Sequence, residues 1–376
     1  MPIVRPPPSW NLEALYHMLR LEVLHPKLLS FARDGPLPLM WNNLTTRSQP
    51  LQPDELEPIT GRTALIVGAT SGVGLEVAKI FATHCTRLII TARDPERGEE
   101  ALEEIRSSLP DEKGSAEAQI EVWPLDMESF RSIRQFSQRL QDDIPSLDIA
   151  VLNAGVWNVQ FTRSIDENET HLQVNYLASC ALSIAVLTVL GRGDATSPGR
   201  LMAVTSEGHS LEEIPPWKRA SDVLQSFNDP AALTCYERYR RSKLLGMLWT
   251  HELVTLINSN NRAVEGASRR VEIASFTPGA TQTQICRDLG AGRVVRLLVR
   301  LFCQSAEEGA WTYIRALASE VYNGLYFFRG RPCEPADCVT SVKHRYFRED
   351  LLKETVAVLE GHVVISDGVR KMISGC

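Results

Sequence analysis

Thr63-Ala64-Leu65-Ile66-Val67-Gly68-Ala69-Thr70-Ser71-Gly72-Val73-Gly74 is the stretch on which the fold of this chain turns. The apolar run before Gly68 reads as a short buried strand, Thr63–Val67. Three glycines in GxxxGxG spacing follow, and a helix opens at Gly72. Glycine permits a tight turn and lets a ligand approach the backbone closely. The first turn of a helix offers free N–H groups and a positive dipole end, which attract a phosphate. Gly68, Thr70, Ser71, Gly72, Val73 and Gly74 are therefore candidate phosphate-site residues. Their spacing is not the GxGxxG of the long-known dinucleotide fingerprint. The signal lies in their place between the first strand and the first helix.

Downstream, strand and helix patterns alternate. The sequence predicts strands over 87–91, 120–124, 147–152, 200–205 and 271–276. It predicts helices over 72–82, 95–109, 127–140, 170–190 and 240–258. Ser305-Ala306-Glu307-Glu308 has capping-box spacing and predicts a helix over 307–319. Such alternation argues for an α/β fold, a doubly wound parallel sheet of the Rossmann type. The expected organisation is one domain over 61–346, an N-terminal extension over 1–60, and a C-terminal helix and tail over 347–376.

In the extension, Trp10 to Phe31 reads as a helix interrupted near His25-Pro26. Leu12, Leu15, Tyr16, Leu19, Val23 and Leu24 fall at roughly helical spacing. Three readings stand open: a helix packed on the main domain, a membrane-surface helix making peripheral contact, and a partner-docking helix. No run of about 18 apolar residues exists, so no spanning helix is expected. Glu13, Arg20 and Glu22 break the N-terminal apolar stretch, unlike a secretory signal.

Composition excludes several classes. The chain has 376 residues, a net charge of -6 and no basic tract, so no nucleic-acid partner is expected. Its eight cysteines form no CxxC and no Cys/His cluster. That pattern points to reduced thiols in a cytoplasmic protein and to no metal site.

Chemistry enters with Tyr239-Arg240-Arg241-Ser242-Lys243. A tyrosine and a lysine four apart share one helix face. A free tyrosine has a pKa of about 10. A neighbouring ammonium lowers it and makes the phenol a usable general acid or base. Between this pair and the glycine turn lie Asn153-Ala154-Gly155, Asn175 and Thr205-Ser206, and Pro278-Gly279 follows. At the end of the second strand an acidic residue would bind the ribose 2′-OH of NAD, whereas arginine accommodates the 2′-phosphate of NADP. The chain has Thr91-Ala92-Arg93, with Asp94 one residue later, which favours NADP(H). Arg93 also reads as a solvated turn charge. Asp126 is placed to meet the adenine amino group, and equally to cap a helix from Met127.

These residues resemble the short-chain dehydrogenase/reductase superfamily over about residues 60–320. Phe227-Asn228-Asp229, Arg238-Tyr239, Ser242-Lys243 and Ala306-Glu307-Glu308-Gly309 resemble its retinol-dehydrogenase-like branch, and within that the fungal reductases of secondary metabolism. The resemblance implies an NADP-dependent oxidoreductase. Tyr239 would be the acid/base, Lys243 would lower its pKa, and Ser206 would polarise the carbonyl. Asn175 would hold a relay water. Asn153, Ala154, Gly155, Pro278, Gly279 and Thr281 would line the cofactor beside Tyr239 and Lys243. It also implies a homodimer through the helices at 170–190 and 240–258. Ser206 alone reads as a cap, Asn175 as an ordinary helix residue, and His209 as a surface or core residue. His171 has no evident partner. Val67 stands where the family often has Thr, and Leu152 where many members have a second Asn.

Two apolar segments, 207–238 and 283–304, predict walls for a large hydrophobic substrate, such as a polyketide or terpenoid ketone or aldehyde. The first of them is expected to form a mobile lid. Two alternatives stand beside the carbonyl–alcohol reading: epimerisation, dehydration or double-bond reduction on the same scaffold, and a non-catalytic binding or scaffold protein.

Overall fold

A computed structural model describes residues 48–110, 118–194, 196–215, 217–259, 267–282 and 303–363. The expected helix at 10–31 and most of the 283–304 wall lie outside the described residues. In chain order the main elements are β1 (Thr63–Val67), α1 (Gly72–His84), β2 (Arg87–Ala92), α2 (Pro95–Ser107), β3 (Gln119–Pro124), α3 (Phe130–Asp143) and β4 (Ile149–Leu152). Then come α4 (His171–Leu190), β5 (Gly199–Val204), α5 (Ala220–Asn228), α6 (Cys235–Ser259), β6 (Val271–Thr277) and α7 (Ala306–Leu317). The described chain ends with β7 (Tyr326–Phe328), β8 (Arg331–Cys333), α8 (Asp337–Thr340) and α9 (Arg345–Glu360).

The strands form one sheet in the order β3-β2-β1-β4-β5-β6-β7-β8. All pairings are parallel except β7 with β8 at the edge. Strand order reverses between β1 and β4, and the crevice outside their C-terminal ends is where such sheets bind ligands. Because the sheet is covered on both faces, its central strands read as continuous apolar runs. Within β1, Leu65 and Val67 enter one core with α3, α4, α6 and α9. Ala64 and Ile66 enter the other, with α1, α2 and α7.

Several boundaries differ from expectation for local reasons. Helix α3 begins at Phe130 rather than Met127, because Ser129 caps it by accepting from the Ser132 N–H at 3.3 Å. Asp126 therefore does not cap a helix. It accepts from the Glu128 N–H at 3.0 Å and shapes the preceding turn. Helix α6 begins five residues early, at Cys235. Thr234 and Glu237 exchange capping bonds there, Thr234 N–H to Glu237 at 2.7 Å and Glu237 N–H to Thr234 at 3.2 Å. This is a capping box, visible as Thr234-Cys235-Tyr236-Glu237. Strands β7 and β8 escaped the sequence pattern because each has three residues.

The 207–238 segment is not a free apolar loop. It contains α5, whose Val223, Leu224 and Phe227 are buried in the core. The Ala220 N–H donates to Asp350 of α9 at 2.7 Å, and Arg241 pairs with Glu212 at 2.7 Å. Among the described large apolar side chains of the segment, Trp217 and, less so, Tyr236 and Leu211 stand out to solvent. Helix α4 is long and apolar enough to cross a membrane, yet 89% of its most apolar 18-residue window is buried inside the chain. Tyr176 on α4 meets Thr355 on α9 at 2.6 Å between hydroxyls. Along α4 only Ser179 and Thr188 are even half-exposed. Little of α4 is therefore exposed for a second copy to dock on.

Candidate active site

Helix α6 sets Tyr239 and Lys243 one turn apart, beside the ends of β4 and β5. Lys243 is 6% exposed, and burial pushes its pKa down to about 8. Its Nζ donates to the Val204 carbonyl at 3.4 Å. A Cβ at Gly155 would sit 3.0 Å from that Nζ and 3.3 Å from Asn175 Oδ1, so position 155 admits only glycine without a shift. Asn175 lies in the first eight residues of α4, His171–Ala178, which wind as a π-helix. Such segments are frequent at functional sites. Its Oδ1 accepts from the Val156 N–H at 2.8 Å, and its Nδ2 donates to the Val156 carbonyl and to Ser242 Oγ, both at 3.0 Å. The side chain is thus fully engaged in tying α4 to the β4 loop and to α6.

Thr205 and Ser206 separate cleanly. Thr205 is buried and donates to the Lys243 carbonyl at 3.1 Å. Ser206 is half-buried, and its Oγ accepts from the Gly208 N–H at 3.2 Å. The cap reading is therefore correct, and the cap leaves the hydroxyl proton available to a ligand. A cavity of ≈ 30 Å³ lies behind Lys243, lined by Asn175, Ser179, Ser183, Thr205 and Thr250 among others. Its lining is more apolar than polar, with Leu152, Leu201 and Ile273 beside those groups, and it is large enough for one water.

The sequence did not reveal the aromatic surround of Tyr239. Trp157 stacks on its ring, centroids 5.5 Å apart, and meets Tyr236 edge-on at 5.5 Å. The His171 ring lies edge-on to Tyr239 at 6.3 Å. His171 Nε2 accepts from the Asn158 N–H at 3.0 Å, so its proton sits on Nδ1 and is donated to Glu169 at 2.7 Å. Both residues are buried. His209 is buried and similarly fixed. Its Nε2 accepts from the Ala336 N–H at 3.3 Å, and its Nδ1 bonds the Ser206 carbonyl at 2.7 Å. Burial lowers its pKa, which keeps it neutral.

The glycine turn is a cradle that side chains would fill. Gly68 has φ +83, and a Cβ there would lie 2.7 Å from the Ala154 backbone. A Cβ at Gly74 would lie 2.2 Å from the Gly68 carbonyl oxygen. Asn153 Nδ2 donates to that carbonyl at 2.8 Å, and the Tyr313 hydroxyl donates to Asn153 Oδ1 at 2.6 Å. Thr70, Ser71 and Gly72 are half-buried at the turn, while Val73 is buried. Ser71 precedes α1 without a side-chain cap bond. The amides of the first turn therefore suit an external anion. At the end of β2, Arg93 is largely exposed and pairs with Glu128 at 2.7 Å. Asp94 caps α2 by accepting from the Glu96 N–H at 3.0 Å. That engages the Asp94 carboxylate at the start of α2 and leaves Glu128 as the carboxylate facing Arg93. After β6, Gly279 has φ +84, and Thr281 donates to its carbonyl at 2.9 Å. Pro278 follows Thr277, so the segment leaves the sheet beside the Ser206 loop.

Among the described residues no group of His, Cys, Asp and Glu could hold a metal ion. Cys85, Cys180, Cys235, Cys333 and Cys338 are free thiols.

The family model for short chain dehydrogenase matches residues 62–214. The chain is 35% identical to the short chain dehydrogenase sol3 of Alternaria solani, over 60% of this chain and 77% of that one. It is 31% identical to the short chain dehydrogenase resG of Aspergillus sclerotiorum, over 84% and 88% of the two chains. Its fold matches a short-chain type dehydrogenase/reductase from Mycobacterium marinum, with a TM-score of 0.54, 18% identity, and coverage of 76% and 98%. It also matches a short chain dehydrogenase from Burkholderia cenocepacia in complex with NADP, with a TM-score of 0.51, 18% identity, and coverage of 72% and 97%.

Proposed function

Because this chain belongs to the short-chain dehydrogenase/reductase family, whose members are oxidoreductases, we propose that it interconverts a ketone or aldehyde and an alcohol using NADP(H). The substrate is a hydrophobic small molecule of the polyketide or terpenoid kind made in secondary metabolism. The burial of Lys243 carries this reading. An amine held at a pKa of about 8 instead of about 10.4 costs on the order of 3 kcal/mol of stability at neutral pH. A purely structural position would favour an apolar side chain. One turn from Tyr239, the amine has a chemical use.

A bound nicotinamide would supply or accept the hydride. Gly68, Thr70, Ser71, Gly72, Val73 and Gly74 would hold its pyrophosphate, and Asn153, Ala154 and Gly155 would flank it. Arg93 would meet the 2′-phosphate, with Asp126 near the adenine. Pro278, Gly279 and Thr281 would line the nicotinamide end. In the reducing direction Tyr239 gives its phenolic proton to the carbonyl oxygen. Ser206 donates a hydrogen bond to the same oxygen, and the Lys243 ammonium stabilises the phenolate that remains. Water in the cavity behind Lys243 returns the proton. Since the Asn175 side chain is engaged, any water it holds would be held through its main chain. Support for NADP(H) over NAD(H) comes from Arg93, from the diversion of Asp94 into a cap, and from the fold relative described with NADP.

The test is a fluorescence titration with NADPH and with NADH, followed by a screen of apolar carbonyl compounds. Tight NADPH binding with weaker NADH binding, and turnover of at least one carbonyl, is expected. Binding of neither cofactor would overturn the reading in favour of a scaffold.

A further inference from the structure

Gln304 lies 22 residues beyond Gln282 in sequence, on the far side of residues 283–302, and is 5% exposed. Its backbone pairs with the segment after β6: Gln304 N–H donates to the Ala280 carbonyl at 3.1 Å, and Gln282 N–H donates to the Gln304 carbonyl at 2.9 Å. Its carboxamide does more. Nε2 donates to the Pro278 carbonyl at 2.6 Å and reaches Thr281 Oγ1 at 3.4 Å. Oε1 accepts from Arg329 Nη2 at 2.8 Å. The orientation of the amide is unambiguous. A guanidinium only donates and a carbonyl only accepts, so Oε1 must face Arg329 and Nε2 must face Pro278.

Arg329 has an unusual position of its own. It occupies the two-residue turn between β7 and β8 with φ +53, followed by Gly330 at φ +77. Two successive positive φ values match the hairpin turn that favours Asn-Gly or Gly-Gly. An arginine in the left-handed region carries strain, and such an outlier points to a use for the side chain. That side chain is 7% exposed and reaches Gln304, while its own N–H donates to the Thr277 carbonyl at 2.9 Å. The hairpin at the sheet edge therefore grips the Thr277–Gln282 segment twice, once by backbone and once through Gln304.

We infer that Gln304, oriented by Arg329, is a positioning residue for the nicotinamide end of the cofactor site: it fixes the Pro278 carbonyl and Thr281 at the place where the ring is to lie. This rests on the NADP(H) reading. Neither residue belongs to a short motif, since the partners are separated by 25 positions.

The experiment compares wild type with Gln304→Ala and Gln304→Glu, using NADPH and adenosine 2′,5′-bisphosphate as ligands. The latter carries only the adenosine end of the cofactor. Gln304→Glu keeps an acceptor for Arg329 but loses the donor to Pro278, so it serves as the second variant where the alanine variant fails to fold. The expected result is NADPH affinity and kcat each reduced about 5- to 30-fold in both variants, the range for losing one or two buried hydrogen bonds. Binding of the bisphosphate stays within about twofold of wild type, as the adenosine end would lie by Arg93 and Asp126, away from Gln304. Equal weakening of both ligands would show a general loss of structure and overturn the inference. Unchanged NADPH affinity and kcat in the glutamate variant would overturn it too. Wild-type protein that bound neither ligand would overturn the cofactor reading itself, and the inference with it.

Discussion

At the C-terminal ends of β1 and β4 the site is made of main chain. At Gly68 and Gly74 a Cβ would collide with Ala154 and with the Gly68 carbonyl, and at Gly155 it would press on Lys243 Nζ. Around Tyr239, in the loop after β4, at the start of α4 and in the loop after β5, the site is made of side chains held by one another and by loop backbone. Trp157 stacks on Tyr239, His171 is fixed by Glu169 and Asn158, and His209 spans from Ser206 to Ala336. A cradle of glycines suits a ligand common to many proteins, since backbone can shape itself around a phosphate without reading anything else. A wall of aromatic side chains suits one substrate. The contrast predicts that changes in the first half act on cofactor binding and changes in the second on turnover.

The largest effect is expected at the junction. Tyr239→Phe removes one hydroxyl and keeps the ring under Trp157. Turnover should fall about 10³-fold, in the range for losing a general acid. NADPH affinity by fluorescence should hold. If turnover survived, Tyr239 would be part of the aromatic wall and the acid would lie elsewhere.

Lys243→Met should also lower turnover, by about 10²-fold, but it should raise stability. Lys243 has a folded pKa near 8, below its unfolded value. The unfolded chain therefore binds more protons between the two values. The penalty of the buried ammonium is fully present below pH 8 and is relieved as pH rises from there toward about 10.4. Methionine removes it at every pH, and a gain of about 1–3 kcal/mol at pH 7 is expected from chemical denaturation, shrinking above pH 8. A destabilised variant would show that the amine is satisfied by its surroundings and that burial is not its governing cost.

How much of this was legible in the sequence follows the same divide. The glycine turn, the six-strand alternation and the Tyr239–Lys243 pair are short-range patterns, and the structure places them together at the switch point. The Ser305–Glu308 capping box opened α7 as its spacing implied. Thr234–Glu237 carried an equivalent signal for α6 that the strand-helix reading passed over. Trp157 and His171 were not legible, because their roles come from rings brought together across α4 and α6. Helix α5 was read as a lid because its apolar residues were visible and their destination under α9 was not. Deleting 211–230 would consequently strip a piece of core as well as a wall.

Within the aromatic half, Trp157→Phe keeps a ring on Tyr239 and loses area. Aromatic pairs contribute about 0.5–1.5 kcal/mol beyond burial. A change in kcat/KM of roughly 3- to 10-fold is expected, with NADPH affinity unaltered. Altered cofactor affinity would erase the boundary between the two halves.

The smallest effect is expected at Arg93. Its side chain is 65% exposed, and its partner is Glu128, so its charge is screened and already engaged. For a 2′-phosphate to gain it, the ion pair must open, and an exposed pair is worth only about 0.2–1 kcal/mol. Opening is therefore cheap, but the gain from a phosphate in the same solvent is modest too. Arg93→Ala should weaken NADPH by about 3- to 10-fold and leave NADH untouched, because NADH has no phosphate there. The double variant with Glu128→Gln separates the two possibilities for the pair. If Glu128 merely holds Arg93 in reserve, Glu128→Gln alone should tighten NADPH slightly and do nothing once Arg93 is gone. Unchanged binding of both NADPH and NADH in Arg93→Ala would instead place Arg93 among the solvated charges of the β2 turn, and any preference for NADP(H) would have to come from elsewhere in the site.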